Sequence, residues 1–398
     1  MASTGNASYI IVGAGVFGTP TALHLITKYP NASIALVDRH APDAPTRDIW
    51  RTDPLWKTFY HESGIYWISR SGFAKQVIDN FKQLGRTAEV YSLPVAEARK
   101  LYGGLFDEAD YTGVKHVLIN KTSGWADAKS ALQAVIEEAV RLGVKYVTAE
   151  ADKLEFDEEG GGACTGIRTS TGRSLTATHT ILSTGAFTPK LLEKTADATG
   201  RDAFRAGDRI VAAGVTTGLA TLDEETARVF ASMPVCIQEN PPERGASNGT
   251  LPLNKDRQLK WWGQYIFRNT QETPAGRQIS APPPDPDYAQ WDVPDVLKKD
   301  VGFANRVTFG KRGAADAVTP SEDFIISPHP AASGGGLYVA TCGSFHGWKF
   351  FPVIGDYVVR MLEGELEADL VERWAWDRAL PDPRGNVVWP RKELKDLQ

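Results

Sequence analysis

The chain has 398 residues, more than a single hydrophobic core usually holds, so length predicts two domains. A content of 42% hydrophobic and 23% charged residues is that of an ordinary globular protein. The formal net charge of −5 argues against nucleic acid as a partner, and no apolar run reaches the roughly 18 to 20 residues that span a bilayer.

The first predicted elements form a βαβ unit over residues 8–40. An apolar strand ends at Gly13, an amphipathic run follows, and a second strand ends at Asp38. Gly13 would allow the turn, Gly15 would let backbone amides approach a pyrophosphate, and Gly18 would let helix and strand pack closely. Asp38 would accept hydrogen bonds from a ribose. Because all these features occur in order within about 30 residues, we predict a dinucleotide site.

The identity of the dinucleotide depends on the rest of the chain, since both NAD and FAD use this pattern. The pattern lies at the extreme N-terminus. A second strand, glycine loop and helix follow late in the chain, over 337–362, and would point further backbone amides at a ligand. This arrangement favours FAD.

The middle of the chain alternates helices and strands. Residues 66–100 predict a helix followed by polar, strand-containing structure. A helix is predicted over 126–142, with Asp127 as a capping residue and an apolar face that includes Val140. The run 178–186 reads as a strand that ends in a glycine turn, so we expect it to join the parallel sheet near the cofactor.

A second region, over about 205–310, is rich in Val, Thr and aromatic residues in short alternating runs, which predicts a mostly antiparallel domain. The resulting domain prediction is discontinuous. It assigns 1–55, 120–200 and 311–398 to a cofactor-binding domain, and 56–119 and 201–310 to a substrate domain.

The cysteines predict a reducing compartment. Cys164, Cys236 and Cys342 lie far apart, with no CxxC pair and no histidine spacing typical of zinc, so no metal site is expected. The N-terminus has no secretion signal, and the last residues, 395–398, are not a peroxisomal address. We therefore expect a cytoplasmic protein, with the peroxisome as the alternative.

Four motifs carry a resemblance to a known family: 13–18 with 38–39, then 124–128, 183–188 and 343–350. Together they resemble the flavin-dependent amine oxidases of the D-amino-acid-oxidase superfamily. Within it, the chain is most similar to the branch of monomeric sarcosine oxidase, fructosyl-amino-acid oxidases (amadoriases) and saccharopine or pipecolate oxidases. The resemblance implies an α/β plus α+β fold, in which a Rossmann-like FAD-binding domain is joined to a mostly antiparallel-sheet substrate domain.

The same resemblance implies roles for three side chains. Lys349 would bind a substrate carboxylate at the pocket mouth, and Lys260 would lie over the flavin ring and stabilise reduced oxygen. His346 would orient substrate or hydrogen-bond the flavin. Each residue also has a structural alternative: Lys349 would be an exposed loop lysine, Lys260 would be a solvated strand lysine, and His346 would serve packing only. The aromatic residues of 261–267 would line the pocket or pack within a sheet.

The predicted site therefore has two groups of residues. The catalytic residues are Lys260, Lys349 and His346. The cofactor-binding residues are Gly13, Gly15, Val16, Phe17, Gly18, Asp38, Arg39, Val147, Gly185, Gly343, Ser344, Gly347, Trp348 and Lys349.

Two departures from the family pattern stand out. A piece of about 25 to 30 residues, too long for a simple change of loop length, is missing between Arg47 and Asp48, either as a true deletion or as an omitted loop. Many relatives also bind FAD covalently through a cysteine late in the substrate domain. Residues 313–320 contain no cysteine, so we expect non-covalent FAD.

The resulting functional hypothesis is oxidation of the C–N bond of an amino acid or secondary amine, of N-alkyl or N-glycated type, to an imine. Molecular oxygen would become hydrogen peroxide. The substrate amine and oxygen are the only expected partners of a monomeric enzyme. One alternative is a tailoring oxidase or dehydrogenase for a larger secondary-metabolite amine, and another is a degenerate, non-catalytic protein with the flavin fold.

Overall fold

The structure is a computed structural model that describes residues 7–38, 53–87, 89–157, 162–240, 247–283, 293–305, 311–383, 389–390 and 392–397. Its strands are β1 (Ser8–Val12), β2 (Ser33–Asp38), β3 (Tyr60–His61), β4 (Ile65–Ile68), β5 (Val90–Pro94), β6 (His116–Asn120), β7 (Trp125–Ala126), β8 (Lys145–Thr148), β9 (Ala151–Phe156), β10 (Cys164–Thr169), β11 (Ser174–Thr176), β12 (His179–Leu182), β13 (Val211–Thr221), β14 (Val235–Gln238), β15 (Asn248–Leu251), β16 (Gln258–Arg268), β17 (Thr270–Glu272), β18 (Gln278–Ser280), β19 (Lys311–Val318), β20 (Ile325–Pro328), β21 (Leu337–Thr341) and β22 (Lys392–Glu393). Its α-helices are α1 (Gly18–Lys28), α2 (Phe73–Gln83), α3 (Val95–Ala98), α4 (Ala128–Leu142), α5 (Thr188–Thr199), α6 (Glu224–Val229), α7 (Asp295–Asn305), α8 (Phe351–Glu363) and α9 (Ala368–Arg373).

The first large sheet has the strand order β20-β21-β12-β1-β2-β8. Strands β21, β12, β1, β2 and β8 run parallel, and β20 is antiparallel to β21. Helices α1, α4 and α8 bury their apolar faces on one side of this sheet. The three-stranded sheet β11-β10-β9 and helix α5 cover the other side. This is a Rossmann-like arrangement, with ligand loops expected at the carboxyl ends of the parallel strands.

Helix α4 shows how local sequence sets an element. Asp127 caps its N-terminus, because its carboxylate accepts hydrogen bonds from the Ser130 amide at 3.3 Å and the Ser130 hydroxyl at 2.7 Å. The predicted helix is confirmed, although it begins at Ala128 rather than two residues earlier. Val140, expected on the apolar face, is 44% exposed because it lies at the margin of the buried stripe.

The second large sheet has the order β19-β13-β16-β15-β14-β4-β6-β5, and β22 pairs with β16. All its pairs are antiparallel except β14 with β4 and β16 with β22. The predicted fold class is therefore confirmed. Strand β19 belongs to this sheet, although the boundary at 311 assigned it to the cofactor-binding domain; the domain boundaries stay a prediction.

A buried carboxyl group shapes the middle of the second sheet. The pairing of β13 with β16 shifts register between Val215 and Thr217. There Asp300, on α7, accepts hydrogen bonds from the backbone amides of Gln264 at 3.0 Å and Tyr265 at 3.3 Å. Burial raises the pKa of Asp300. The irregular strand is thus fixed by a side chain from the covering helix, which replaces the ladder bonds that the bulge removes.

A cluster of tilted aromatic rings attaches the C-terminal part of the chain to the first sheet. His329 is 2% exposed and lies between Phe204 and Trp376, at centroid distances of 5.5 Å and 4.4 Å. Arg201 lies over the Phe204 ring, and Arg209 lies over the Trp376 ring. Burial, followed by the charge of Arg209, lowers the pKa of His329 to about 4. The folded protein therefore holds a neutral histidine here.

His329 should make stability depend on pH. Its folded pKa of about 4 is below the ordinary value of 6.5, so the unfolded state binds the proton more tightly and stability falls as the pH drops from 6.5 towards 4. At about 1.4 kcal/mol per pKa unit, the loss between pH 7 and pH 5 is about 2 kcal/mol. Urea unfolding of wild type and H329F at both pH values measures this loss in the free energy of unfolding. The H329F variant should lack this component, and the variant of the exposed His116, H116N, should retain it. An identical pH profile in H329F would contradict the assignment.

Candidate functional site

A cavity of about 530 Å³ opens at the carboxyl ends of the parallel strands. Each of β1, β2, β8, β12 and β21 ends at or beside it, which is where open α/β sheets bind ligands. Its wall includes Gly13, Gly15, Val16, Phe17 and Asp38 from the first βαβ unit, 149–152 after β8, 183–187 after β12, and Cys342, Gly343, Phe345 and Trp348 after β21. The cavity thus combines the N-terminal and C-terminal glycine motifs.

The three N-terminal glycines differ in their steric surroundings, and their cofactor-binding roles stay predictions. A Cβ on Gly13, which has φ +102°, would lie 2.3 Å from the Ser183 carbonyl oxygen. A Cβ on Gly18 would lie 1.9 Å from the Gly13 carbonyl oxygen. Around Gly15 no atom lies within 4 Å of a built Cβ. Gly13 and Gly18 therefore let the chain pack upon itself, whereas Gly15 leaves the cavity open for close approach of a ligand to the backbone.

The charges around this turn suit a dinucleotide. Helix α1 begins beside the cavity and has no acidic residue in its first turn, so its N-terminal partial positive charge is available to phosphates. Asp38 accepts a hydrogen bond from the Ala14 amide at 2.7 Å, which fixes the carboxylate at the cavity wall. Burial and the Asp38 charge raise the pKa of Tyr146 to about 12, so the Tyr146 hydroxyl stays neutral.

Several cavity residues were missed by sequence reasoning. Glu150 follows β8 and Asp152 lies on β9. Lys190 and Lys194 extend from α5, and Lys194 pairs with Asp152 at 2.5 Å. These charged side chains look like ordinary surface residues in the sequence. The local signal in the sequence was the glycine turn at 183–188. It predicted that α5 begins near the cofactor, but it did not predict which face of α5 lines the cavity.

The C-terminal loop has an unusual backbone. Cys342, Ser344 and Phe345 have φ values of 70°, 47° and 60°, in the left-handed region that few residues other than glycine adopt. The Ser344 amide donates to the Ala317 carbonyl oxygen at 2.9 Å, and the Gly347 amide donates to the Gly343 carbonyl oxygen at 2.7 Å. These bonds hold the loop against β19 and lead it into the 3₁₀ helix Gly347–Phe350 and then α8.

His346 packs beneath this loop. Its ring lies 5.4 Å from the Phe324 ring, and its Nδ1 lies 3.0 Å from the Ser344 carbonyl oxygen. Because a carbonyl oxygen only accepts, Nδ1 carries the proton. Burial, together with the Lys349 charge, lowers the pKa of His346, so the ring is neutral at pH 7. These contacts favour the packing alternative over direct contact with substrate, and the catalytic role stays a prediction.

The two predicted lysines lie on different elements. Lys349 is exposed and follows Trp348, which lines the cavity. Lys260 is exposed on β16, paired with Leu219 of β13 and Leu251 of β15. Neither lysine lines the described cavity wall, and their roles stay predictions.

The aromatic residues beside Lys260 have different positions. Trp261 is fully buried, and its Nε1 donates to the Val301 carbonyl oxygen at 3.1 Å, so it serves sheet packing rather than pocket lining. Trp262 is half-buried on the opposite face.

Some predicted residues lie away from the cavity or outside the described residues. Gly18, Ser344 and Gly347 support the loops rather than form the wall, and Val147 lies on β8 two residues before the lining residue Ala149. Arg39 and the junction of Arg47 with Asp48 lie outside the described residues. In the described part of the chain, no group of three or more His, Cys, Asp or Glu side chains could hold a metal ion. None of the described helices is long and apolar enough to cross a membrane.

Comparison with known proteins gives one family match. The model of the FAD dependent oxidoreductase family (DAO) matches residues 44–361.

Two curated relatives match most of the chain. An L-saccharopine oxidase of Schizosaccharomyces pombe is 23% identical over 416 residues, covering 92% of both chains. The amino acid oxidase fsqB of Aspergillus fumigatus is 23% identical over 465 residues, covering 89% of this chain and 92% of the relative.

Solved structures share the fold. A fructosyl peptide oxidase from E. terrenum superposes with a TM-score of 0.83 and 21% identity, covering 100% of this chain and 98% of that chain. The fructosamine oxidase Amadoriase II of Aspergillus fumigatus gives a TM-score of 0.78 and 21% identity, covering 100% and 97%. The family match, the curated relatives and these structural neighbours confirm the resemblance inferred from the four sequence motifs.

The glycine geometry yields a matched pair of variants. We expect G15A to leave the free energy of unfolding of the FAD-free protein within about 0.5 kcal/mol of wild type, since the new methyl group meets no atom. It should raise the FAD Kd about tenfold or more, because the methyl group enters the space that the ligand needs. By contrast, G18A should destabilise the FAD-free protein by about 1–3 kcal/mol through overpacking. Denaturant unfolding and FAD titration measure both effects. Equal stability of the two variants would contradict these roles.

Proposed function

Because the chain belongs to the FAD dependent oxidoreductase (DAO) family, we propose that it oxidises the C–N bond of an amino acid or secondary amine to an imine and reduces oxygen to hydrogen peroxide. The observation that carries the proposal is the dinucleotide cavity with the C-terminal loop at its wall, since Lys349 directly follows the lining residue Trp348. The relatives are named as oxidases of saccharopine, of amino acids and of fructosyl compounds, which supports an amine substrate.

FAD fits the cavity through the residues already described. The open backbone at Gly15 and the N-terminus of α1 suit the pyrophosphate, and Asp38 suits the ribose. When bound, FAD would supply the acceptor for a hydride from the carbon beside the amine. The hydride carries two electrons and one proton, and the amine nitrogen releases the second proton, so that one oxygen molecule would be reduced to hydrogen peroxide. Water would then hydrolyse the imine to a carbonyl compound and an amine.

The two exposed lysines supply fixed positive charge. Lys349 binds the carboxylate of the substrate and so orients the amine-bearing carbon. Lys260 provides the cation that stabilises negative charge as it develops on oxygen. The substrate amine must be neutral to release hydride, so activity should rise with pH through the pKa of that amine. Neutral His346 holds the Ser344 carbonyl and keeps the loop in its left-handed conformation, which makes it a positioning residue.

We further propose that FAD binds without a covalent bond. The run 313–320 has no cysteine. Cys342 lines the cavity, but it is fully buried in a strained loop. A monomeric state and a cytoplasmic location are likewise proposals, and they are supported by the sequence only.

The first test is oxygen uptake by protein loaded with FAD. We expect uptake, with one hydrogen peroxide per oxygen, for at least one member of a panel of N-methyl, N-glycated and cyclic amino acids. Flavin released by acid precipitation measures the loading and checks that attachment is non-covalent. Background uptake with every amine, by protein shown to carry flavin, would refute the oxidase proposal. Slow reoxidation in air after dithionite reduction would then indicate a dehydrogenase.

The lysine roles predict a separation of kinetic constants. In K349M the KM for a carboxylated amine should rise by about tenfold or more, because a charge-assisted bond worth roughly 1.5–3 kcal/mol is lost. In K260M the reaction of reduced protein with oxygen should slow by about 10²-fold, while anaerobic reduction by substrate changes less. Stopped-flow measurement of the two half-reactions distinguishes them. The variant K255M, of an exposed lysine outside the strand, is the control and should match wild type.

A further inference from the structure

The two faces of the second large sheet differ in how they are covered. On one face Tyr66, Ala220, Leu259 and Trp261 are fully buried beneath α7 and neighbouring segments. The other face carries Lys260, and the apolar side chains around this lysine are only half-buried. We call this second surface the lysine face and define it by Trp67, Leu219, Ile237, Leu251, Lys260 and Trp262.

Strand pairing fixes which side chains are neighbours on the lysine face. Leu219 and Leu251 lie directly opposite Lys260 on its two sides. Two residues farther along β16, a second row of paired residues crosses five strands and consists of Thr217, Trp262, Gly249, Ile237 and Trp67. Because residues opposite each other in adjacent strands point to the same side of a sheet, these side chains form one continuous surface.

Both indole rings on this surface are anchored. The Trp262 Nε1 donates to the Ser247 carbonyl oxygen at 3.2 Å, and its ring lies across Gly249, where a Cβ would approach it to 2.3 Å. The Trp67 Nε1 donates to a Glu239 carboxylate oxygen at 3.1 Å. Since both N–H groups are satisfied within the protein, the rings offer a ligand mainly their carbon surfaces.

The C-terminal loop connects the lysine face to the cofactor cavity. Phe345 lines the cavity and also packs against the cluster of Val211, Ala213 and Val318. Val211 and Ala213 are each an even number of residues from Leu219 along β13, so all three side chains lie on the same side of that strand. The side of the sheet that receives the cavity loop is therefore the side that carries Lys260.

This surface suits a particular kind of substrate, an inference that rests on the proposed function. We propose that the oxidised amine carries an apolar arm of aromatic size, which packs on the lysine face against Trp262, and not a sugar-derived polyol. Among the side chains that define the lysine face, the Lys260 ammonium is the only charged group, and both indole N–H groups already donate to acceptors within the protein. A polyol placed there would lose water from its hydroxyl groups and find carbon in return, which is unfavourable for each hydroxyl.

A set of three substrates tests the proposal: N-methyl-L-phenylalanine, N-methylglycine and fructosyl-glycine. We expect kcat/KM for the aromatic substrate to exceed each of the other two values by about tenfold or more. In W262A that advantage should fall by about tenfold, mainly through KM, while kcat/KM for N-methylglycine changes less than about threefold. In W261F, altered on the opposite face, the preference should remain. A higher kcat/KM for fructosyl-glycine, or an equal effect of W262A on all three substrates, would overturn the proposal.

A binding measurement separates this inference from the proposed reaction. With FAD-loaded protein, 3-phenylpropanoate should perturb the flavin spectrum with a Kd about tenfold lower or more than that of gluconate, and W262A should remove the difference. Equal Kd values, alongside oxygen uptake with any amine, would refute the apolar arm and leave the oxidase intact. Selective binding without oxygen uptake would refute the oxidase and support the apolar surface. The thermal unfolding midpoint and flavin content of W262A verify that it folds.

Discussion

The structure depends on close contact of main chain with main chain at the carboxyl end of β1. Gly18 approaches the Gly13 carbonyl, and Gly13 approaches the Ser183 carbonyl, so closely that neither position has room for a Cβ atom. This contact joins the first helix, the first strand and the loop after β12 at one point. Every other wall of the cavity is arranged around it, because the remaining parallel strands end at the same edge. At Gly15, by contrast, no atom lies within 4 Å of the position of a Cβ, so the cavity has open space beside the backbone.

The second sheet contributes to the site through the difference between its faces. Trp261 and Lys260 are adjacent in sequence but point to opposite sides, one into the core beneath α7 and the other to the half-buried lysine face. The bulge fixed by Asp300 lies farther along the same strand. Phe345 bridges this sheet and the cavity. Of these two neighbouring side chains, Trp261 therefore packs in the core of the sheet, and Lys260 lies on the face that we propose for the substrate.

Sequence reasoning was most accurate where a local steric requirement dictates the residue. The glycines of the first βαβ unit, Asp38 at the end of β2 and the Asp127 cap could all be located without a structure. It was least accurate for charged side chains such as Lys190 and Lys194, which reach the cavity from a helix with no motif of its own. His346 shows an intermediate case: the motif located the loop, but the Phe324 ring that covers the histidine lies in a distant segment.

The sequence by itself determined the cofactor fold, the parallel strand ends that form the cavity and the membership of the FAD-dependent family, because backbone geometry near glycine and strand periodicity are local properties. Only the tertiary structure decided which face of β16 carries Lys260 beside Leu219, Leu251 and Trp262. It also decided that three residues of the C-terminal loop adopt left-handed backbone conformations. These features arise from pairing between strands and loops far apart in the chain, and no local pattern encodes which distant partner will supply the opposing surface.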